Sequence, residues 1–107
     1  MDNRVKYEYL SAKGGDNKFL KCELYYDLGG YSMFTHEERP RGYYVSVMPV
    51  EKNGIMESYA MFSGFKMLVV ECKRKSKKAE EQAKALYENA KNEIIRARFA
   101  DVIESEV

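Results

Sequence analysis

The spacing of the apolar residues changes once along this chain, near Ser76, and that change limits what the chain can fold into. Before it, apolar and polar residues alternate in short runs, which is the two-residue period of strands with one buried face. After it, apolar residues recur every three to four positions, as in a helix that packs along one side. The order predicts an α+β fold: an antiparallel β-meander of about six strands packed against one long C-terminal helix.

Short turns divide the first part of the chain into strands. Gly29-Gly30 is expected to be a tight hairpin turn, because glycine accepts the positive φ angles that such turns require. The polar run from Glu37 to Gly42, which contains Pro40, is expected to be an exposed loop. Strands that are neighbours in sequence are therefore expected to pair antiparallel. The predicted strands are Val5–Ala12, Lys18–Leu28, Tyr31–His36, Tyr43–Val50, Ile55–Phe62 and Phe65–Lys73.

A chain of 107 residues has room for one hydrophobic core. We therefore expect a single domain over residues 1–107, with the sheet within 1–73 and the helix within 76–104. No apolar run approaches the ~20 residues of a membrane span, and the N-terminus lacks a signal-peptide core, so we expect a cytoplasmic protein with no membrane contact. The predicted core is Leu20, Cys22, Leu24, Val45, Val47, Leu68, Val70, Leu86, Tyr87, Ala90 and Ile94.

Residue types that carry catalysis or bind metals are scarce in this sequence. Cys22 and Cys72 are far apart and outside any C-x-x-C pattern, and His36 is the single histidine. No nucleotide-binding glycine motif, zinc-protease motif or calcium loop is present. Spacing alone leaves open a dyad of His36 with either cysteine. We expect reduced, non-catalytic cysteines and a protein that is no enzyme and has no metal and no cofactor.

Five cations bridge the last predicted strand and the first turn of the predicted helix. Cations at a helix N-terminus oppose the helix dipole, so they lower stability unless an anion lies nearby. The formal net charge is only +1, so any attraction of an anion must be local. The cluster predicts contact with phosphate or an acidic partner, or else a solvated charge run. Its members are Lys73, Arg74, Lys75, Lys77 and Lys78.

Tyrosines are dense on the predicted strands, with nine in the chain and adjacent pairs at Tyr25-Tyr26 and Tyr43-Tyr44. Adjacent residues of a strand face opposite sides, so one tyrosine of each pair is expected on the less buried face. Tyr25 and Tyr44 are the candidates to stack on unpaired bases, although tyrosine is also an ordinary strand former. Together with the cationic cluster, they predict a single-stranded nucleic-acid site.

The last apolar residues of the helical segment point roughly opposite its main apolar stripe if the helix runs straight. One interpretation is a bend near Arg98, which folds a short last turn back onto the core. The other is a helix that continues to Glu104 and projects an apolar patch for a protein partner or a second copy of the chain. This predicted interface is Ile95, Phe99, Val102 and Ile103.

The sequence also carries a resemblance, at Arg41–Val47, Met56–Tyr59 and Phe62–Gly64. There it resembles small uncharacterised proteins of mobile genetic elements in gut Firmicutes. The resemblance implies a cytoplasmic bacterial accessory protein and brings no catalytic residue with it. Our first interpretation is thus a non-catalytic binding or accessory module that acts through protein contacts, including self-association. The alternative is a single-stranded nucleic-acid-binding protein.

Overall fold

The structure, a computed structural model, describes residues 3–33, 36–59 and 64–103. An antiparallel sheet packs against one C-terminal helix, so the predicted α+β class is confirmed. Within the described residues, the elements follow the order β1 (Arg4–Ser11), β2 (Lys18–Asp27), β3 (Gly30–Ser32), β4 (Glu37–Arg39), β5 (Gly42–Asn53), β6 (Met56–Tyr59), β7 (Phe65–Glu71) and α1 (Lys77–Arg98).

The longest strand, β5, is the centre of a five-stranded antiparallel sheet. Strand β2 pairs along one side of it, with Leu24 opposite Val45, and β1 pairs with the outer side of β2. The other side of β5 is divided between two strands. Its first half pairs with β7 and its last residues pair with β6. The twelve residues of β5 thus connect both halves of the sheet.

The expectation that each strand pairs with the next is confirmed for β1–β2, β3–β4 and β5–β6 and is wrong for β2–β3, β4–β5 and β6–β7. Strand β2 pairs with β5, while β3 and β4 form a separate two-stranded hairpin, which we call the hairpin arm. The physical reason is that β2 and β5 each present a long apolar face, and pairing them makes one continuous surface for the helix. The run from Glu37 to Gly42 therefore contains a strand rather than only a loop. Parts of the predicted strands 31–36 and 55–62 lie outside the described residues.

The core lies between α1 and one face of the sheet. The predicted core is confirmed at Leu20, Cys22, Leu24, Val45, Val47, Tyr87, Ala90 and Ile94, and half-buried Val70 packs against it. Leu68 is different, because a register shift in the β5–β7 pairing places it opposite Tyr44, on the face away from the helix. Leu86 is 39% exposed, because the neighbouring position Tyr87 is the one that faces the sheet.

The helix begins where the sequence predicts and ends earlier. The Ser76 hydroxyl accepts a hydrogen bond from the Ala79 N–H at 3.0 Å, which caps the first turn. The helix ends at Arg98 instead of continuing to 104, because Phe99 leaves the helical conformation and turns its side chain into the core. Beyond it the chain returns to the sheet. Ile103 forms a bridge with Ala12, so the predicted bend near Arg98 describes this end of the chain.

Candidate nucleic-acid interface

The five cations predicted from the sequence lie on the segment 73–78 that joins β7 to α1, which we call the basic segment. All five side chains are exposed. None of them has a carboxylate within ion-pair distance in the part of the chain that the structure describes. Lys75 Nζ lies 5.9 Å from the centre of the Tyr26 ring. The segment therefore presents a run of uncompensated positive charge to solvent.

Arg41 adds a sixth cation that the sequence analysis missed. Its Nε donates to the Leu28 carbonyl at 3.0 Å, and its Nη1 donates to the Lys73 carbonyl at 3.3 Å. The Cys72 N–H donates to the Arg41 carbonyl at 3.1 Å. These bonds hold the start of the basic segment beside the end of β2. The sequence signal for this contact was absent, because it depends on the pairing of β5 with both β2 and β7.

A groove of about 510 Å³ lies beside the basic segment, and we call it the basic groove. Its wall combines positive charge with the exposed apolar side chain of Leu28. Such a wall suits a ligand that has both an anionic and an apolar part. The lining residues are Asn3, Tyr26, Leu28, Arg41, Lys73, Arg74 and Lys75.

A second cleft of about 620 Å³ lies on the face of the sheet away from the helix, and we call it the face cleft. It shares Asn3, Tyr26 and Leu28 with the basic groove, so the two adjoin. Tyr25 lines the face cleft. Burial, together with the nearby Asp27 carboxylate, raises the pKa of Tyr25 to about 12, so this ring stays a neutral phenol.

Of the two tyrosines predicted to stack on bases, only Tyr25 has part of its surface open. Tyr44 is 4% exposed, and its hydroxyl donates to the Pro40 carbonyl at 2.6 Å. The two rings stack on each other, with centroids 6.2 Å apart and planes 22° apart. Tyr44 lies on the same face as Tyr25, directly opposite it in the β2–β5 register, but it is covered and so is not open to stack on a base.

The cations of the face cleft are paired, unlike those of the basic segment. The three pairs are Arg4 with Glu23 at 3.7 Å, Lys21 with Glu57 at 3.0 Å and Arg39 with Asp27 at 3.1 Å. Burial by itself raises the pKa of Asp27, but hydrogen bonds from the Gly29 N–H and Arg39 outweigh burial and lower it. These cations are already compensated by carboxylates of their own chain, so they offer less charge to an incoming anion.

The four residues of the predicted protein interface lie elsewhere, at the C-terminal end of α1, and they pack on the chain's own core. Ile95 and Phe99 are buried, and Val102 and Ile103 are half-buried against the same cluster. The Lys13 N–H donates to the Val102 carbonyl at 2.7 Å, which fixes the returning chain. The expectation that a lone copy leaves this patch exposed is therefore wrong.

The two cysteines and the single histidine lie in three different environments. Cys22 is fully buried, and burial raises its pKa to about 12; burial also raises the pKa of the half-buried Cys72 thiol. Both thiols are therefore kept protonated. His36 is exposed on the loop of the hairpin arm, where its Nδ1 lies 3.1 Å from the Tyr31 hydroxyl. Among the described residues, no three or more His, Cys, Asp or Glu side chains are grouped to hold a metal ion.

Comparisons with known proteins give no match to this chain, whether with protein-family models, with curated proteins or with solved structures. In the described part of the chain, no helix has the length and apolar character needed to cross a bilayer.

Proposed function

We propose that this chain is a non-catalytic binding module that holds single-stranded nucleic acid along the basic segment and the basic groove. The observation that carries the proposal is the contrast in pairing. The cations of the basic segment have no carboxylate partner among the described residues, whereas those of the face cleft have one each. Nucleic-acid affinity comes mainly from cations that neutralise phosphates and release counterions, so the unpaired cations are the effective ones.

The preference for a single strand rests on the two adjoining clefts. A strand whose phosphates lie on the basic segment passes exposed Leu28 and reaches the face cleft, where Tyr25 offers part of its ring. Stacking on an aromatic ring requires a base that is not already paired in a duplex. The bases then contact Leu28 and Tyr25 while the backbone follows the cations.

This proposal replaces protein contact through the C-terminal apolar residues, because the chain's own core already covers them. The resemblance at Arg41–Val47 to proteins of mobile genetic elements supports the proposal, because it implies a cellular role in which single-stranded DNA is encountered. A cytoplasmic accessory protein that maintains or transfers such an element meets single-stranded DNA. The resemblance includes Arg41, which joins the basic segment in the fold.

The test is fluorescence anisotropy with a labelled single strand and with a duplex of the same sequence. Wild-type protein is expected to bind the single strand more tightly, and the affinity should fall at least about tenfold between about 50 and 200 mM salt. The variant Lys75→Glu/Lys77→Glu should lose most of the binding at low salt, because it reverses two unpaired charges.

The matched control is Lys13→Glu/Arg96→Glu, which makes the same change in net charge at two exposed cations away from the basic segment. It should bind nearly as the wild type does. Equal losses in the two double variants would show that total charge, and not this site, attracts the ligand. Binding that does not respond to salt, or no binding at low salt, would refute the proposal.

A further inference from the structure

The hairpin arm is a projection from the end of the sheet. Its strands pair only with each other within the described residues. Its base is held firmly, because the Asp27 carboxylate accepts hydrogen bonds from the Gly29 N–H at 2.7 Å and from the Arg39 guanidinium at 3.1 and 3.2 Å. Gly29 has a φ of +75°, and an added Cβ would lie 2.6 Å from the Arg39 carbonyl oxygen. The arm therefore leaves the sheet in a defined direction.

The outer part of the arm carries negative charge that forms no ion pair with the described residues. Glu37 and Glu38 are exposed, and neither pairs with a cation in the described ranges. Both line a groove of about 500 Å³ between the arm and the open face of the sheet. The cation in that groove besides Arg39 is Lys66, which lies 3.7 Å from the Asp27 carboxylate. The two glutamates are thus free to receive positive side chains from outside.

The hairpin arm and the basic segment lie at the same end of the molecule. Arg41, directly after the base of the arm, bonds to Leu28 on one side and to Lys73 on the other. The acidic surface and the basic surface are neighbours, yet the described residues of one chain make no ion pair between them. Exposed apolar side chains accompany these charged surfaces. Leu28 directly precedes the hairpin arm, and Tyr31 and Met33 lie on it.

We infer that two copies of this chain pair at this end, with Glu37 and Glu38 of each arm against the basic segment of the other. Because both surfaces lie side by side, a two-fold axis makes the same contact twice. The opposite charges fix the orientation, and Leu28, Tyr31 and Met33 become covered between the copies. The second copy is the occupant because its basic segment has the charge that the arm lacks.

The pairing has a consequence for the proposed function, and this part of the inference rests on that function. The arm of a second copy and the phosphates of a nucleic acid would occupy the same basic segment. Binding of one therefore excludes the other, and nucleic acid should convert the dimer into monomers. The dimer itself does not depend on nucleic acid.

The test is the molar mass in solution, measured by light scattering and sedimentation at low and at high salt without nucleic acid. Wild type is expected to be a dimer at low salt and a monomer at high salt. The variants Glu37→Lys/Glu38→Lys and Lys75→Glu/Lys77→Glu should each be monomeric, because each places like charges in both contacts. An equimolar mixture of the two should form a dimer again, since both contacts then join opposite charges.

The control Glu93→Lys/Asp101→Lys changes the net charge by the same amount as the arm variant, at exposed positions away from the arm. It should remain a dimer. Wild type that is monomeric at low salt and high concentration, or a mixture that stays monomeric, would overturn the inference. So would a dimer that resists high salt, because it would use another surface.

The two proposals fail separately. The Glu37→Lys/Glu38→Lys variant keeps its basic segment, so it should bind a labelled single strand at least as tightly as wild type does. A dimer that behaves as expected but binds no nucleic acid refutes only the proposed function. Nucleic-acid binding by a protein that is always monomeric refutes only the pairing.

Discussion

The two ends of α1 differ in what surrounds them, although the sequence marks both as candidate binding surfaces. At the N-terminal end, the basic segment remains exposed and without carboxylate partners among the described residues. At the C-terminal end, the chain bends after Arg98, and its last apolar side chains lie against the core. Apolar side chains near a core can be buried by a local change of backbone direction. A change of backbone direction cannot bury a run of like charges in the core, so these side chains stay on the surface.

The energetic balance at the C-terminal end explains the bend. Burying a phenylalanine side chain stabilises the folded state by about 1.5 to 3 kcal/mol. A straight helix would leave Phe99 exposed and would lack this contribution. The bend breaks few backbone hydrogen bonds. The Phe99 N–H still donates to the Ile95 carbonyl, and the Phe99 carbonyl accepts from the Val102 and Ile103 N–H groups. The Val102 carbonyl is itself bonded by the Lys13 N–H. Burial therefore outweighs continuation of the helix.

The substitution expected to have the largest effect is Phe99→Asp, at the buried end. It places a charge at a position that is 6% exposed, so the free energy of unfolding should fall by about 3 to 5 kcal/mol in urea titrations. The control Leu86→Asp changes an exposed position of the same helix and should cost less than about 1 kcal/mol. A Phe99→Asp protein of unchanged stability would show that this end is not packed on the core.

A smaller effect is expected where the helix carries a paired lysine. Glu8 accepts hydrogen bonds from the Tyr87 hydroxyl at 2.7 Å and from Lys91 Nζ at 3.2 and 3.3 Å. Glu8→Gln should lower the free energy of unfolding by about 1 to 3 kcal/mol at neutral pH, because these donors lose a charged acceptor. The same change at exposed Glu93 should have little effect, which makes Glu93→Gln the control in the same chemical denaturation series.

The stability difference between wild type and Glu8→Gln is expected to shrink as the pH falls. Burial alone raises the pKa of Glu8, but the hydrogen bonds from Tyr87 and Lys91 outweigh it and leave the pKa below its usual 4.5. The ionised form therefore stabilises the fold above the unfolded-state pKa, and this contribution is lost as the pH falls through the lower folded-state pKa. Wild type and Glu8→Gln should therefore converge in stability as the pH falls from 4.5 through the folded-state pKa of Glu8. If wild type remains more stable than Glu8→Gln in acid, the shape of the Glu8 side chain, and not its charge, is responsible for the stability difference.

The smallest effect, with the opposite sign, is expected at the exposed end. Lys77→Glu/Lys78→Glu should raise the free energy of unfolding by about 0.3 to 1 kcal/mol per charge at low salt, because acidic side chains suit the N-terminus of a helix. Thermal unfolding followed by circular dichroism measures the gain, which should shrink with salt. Arg96→Glu, in the last turn, should lower the stability instead. A loss of stability in the double variant would indicate an unrecognised contact of these lysines.

Sequence reasoning placed most of the core because the strand and helix periods directly specify which side chains share a face. It failed at Leu68, where a one-residue register shift between β5 and β7 reverses the face. Sequence reasoning also failed at Leu86, which is exposed. Leu86 lies one position from buried Tyr87, so its side chain points about 100° away around the helix. In the candidate site, the basic segment was recognised as a run of like charge, whereas Arg41 was missed because its contacts join distant strands.

By itself, the sequence determined the features that depend on neighbouring residues: the alternation that makes β2 and β5 strands, the Ser76 cap and the cluster of cations on both sides of it. The tertiary structure decided the features that depend on residues far apart in the chain. These are the pairing of β2 with β5, the projection of the hairpin arm and the burial of Phe99. The physical reason is that register, ion pairing and burial are set by which distant surfaces meet, and no local period contains that information.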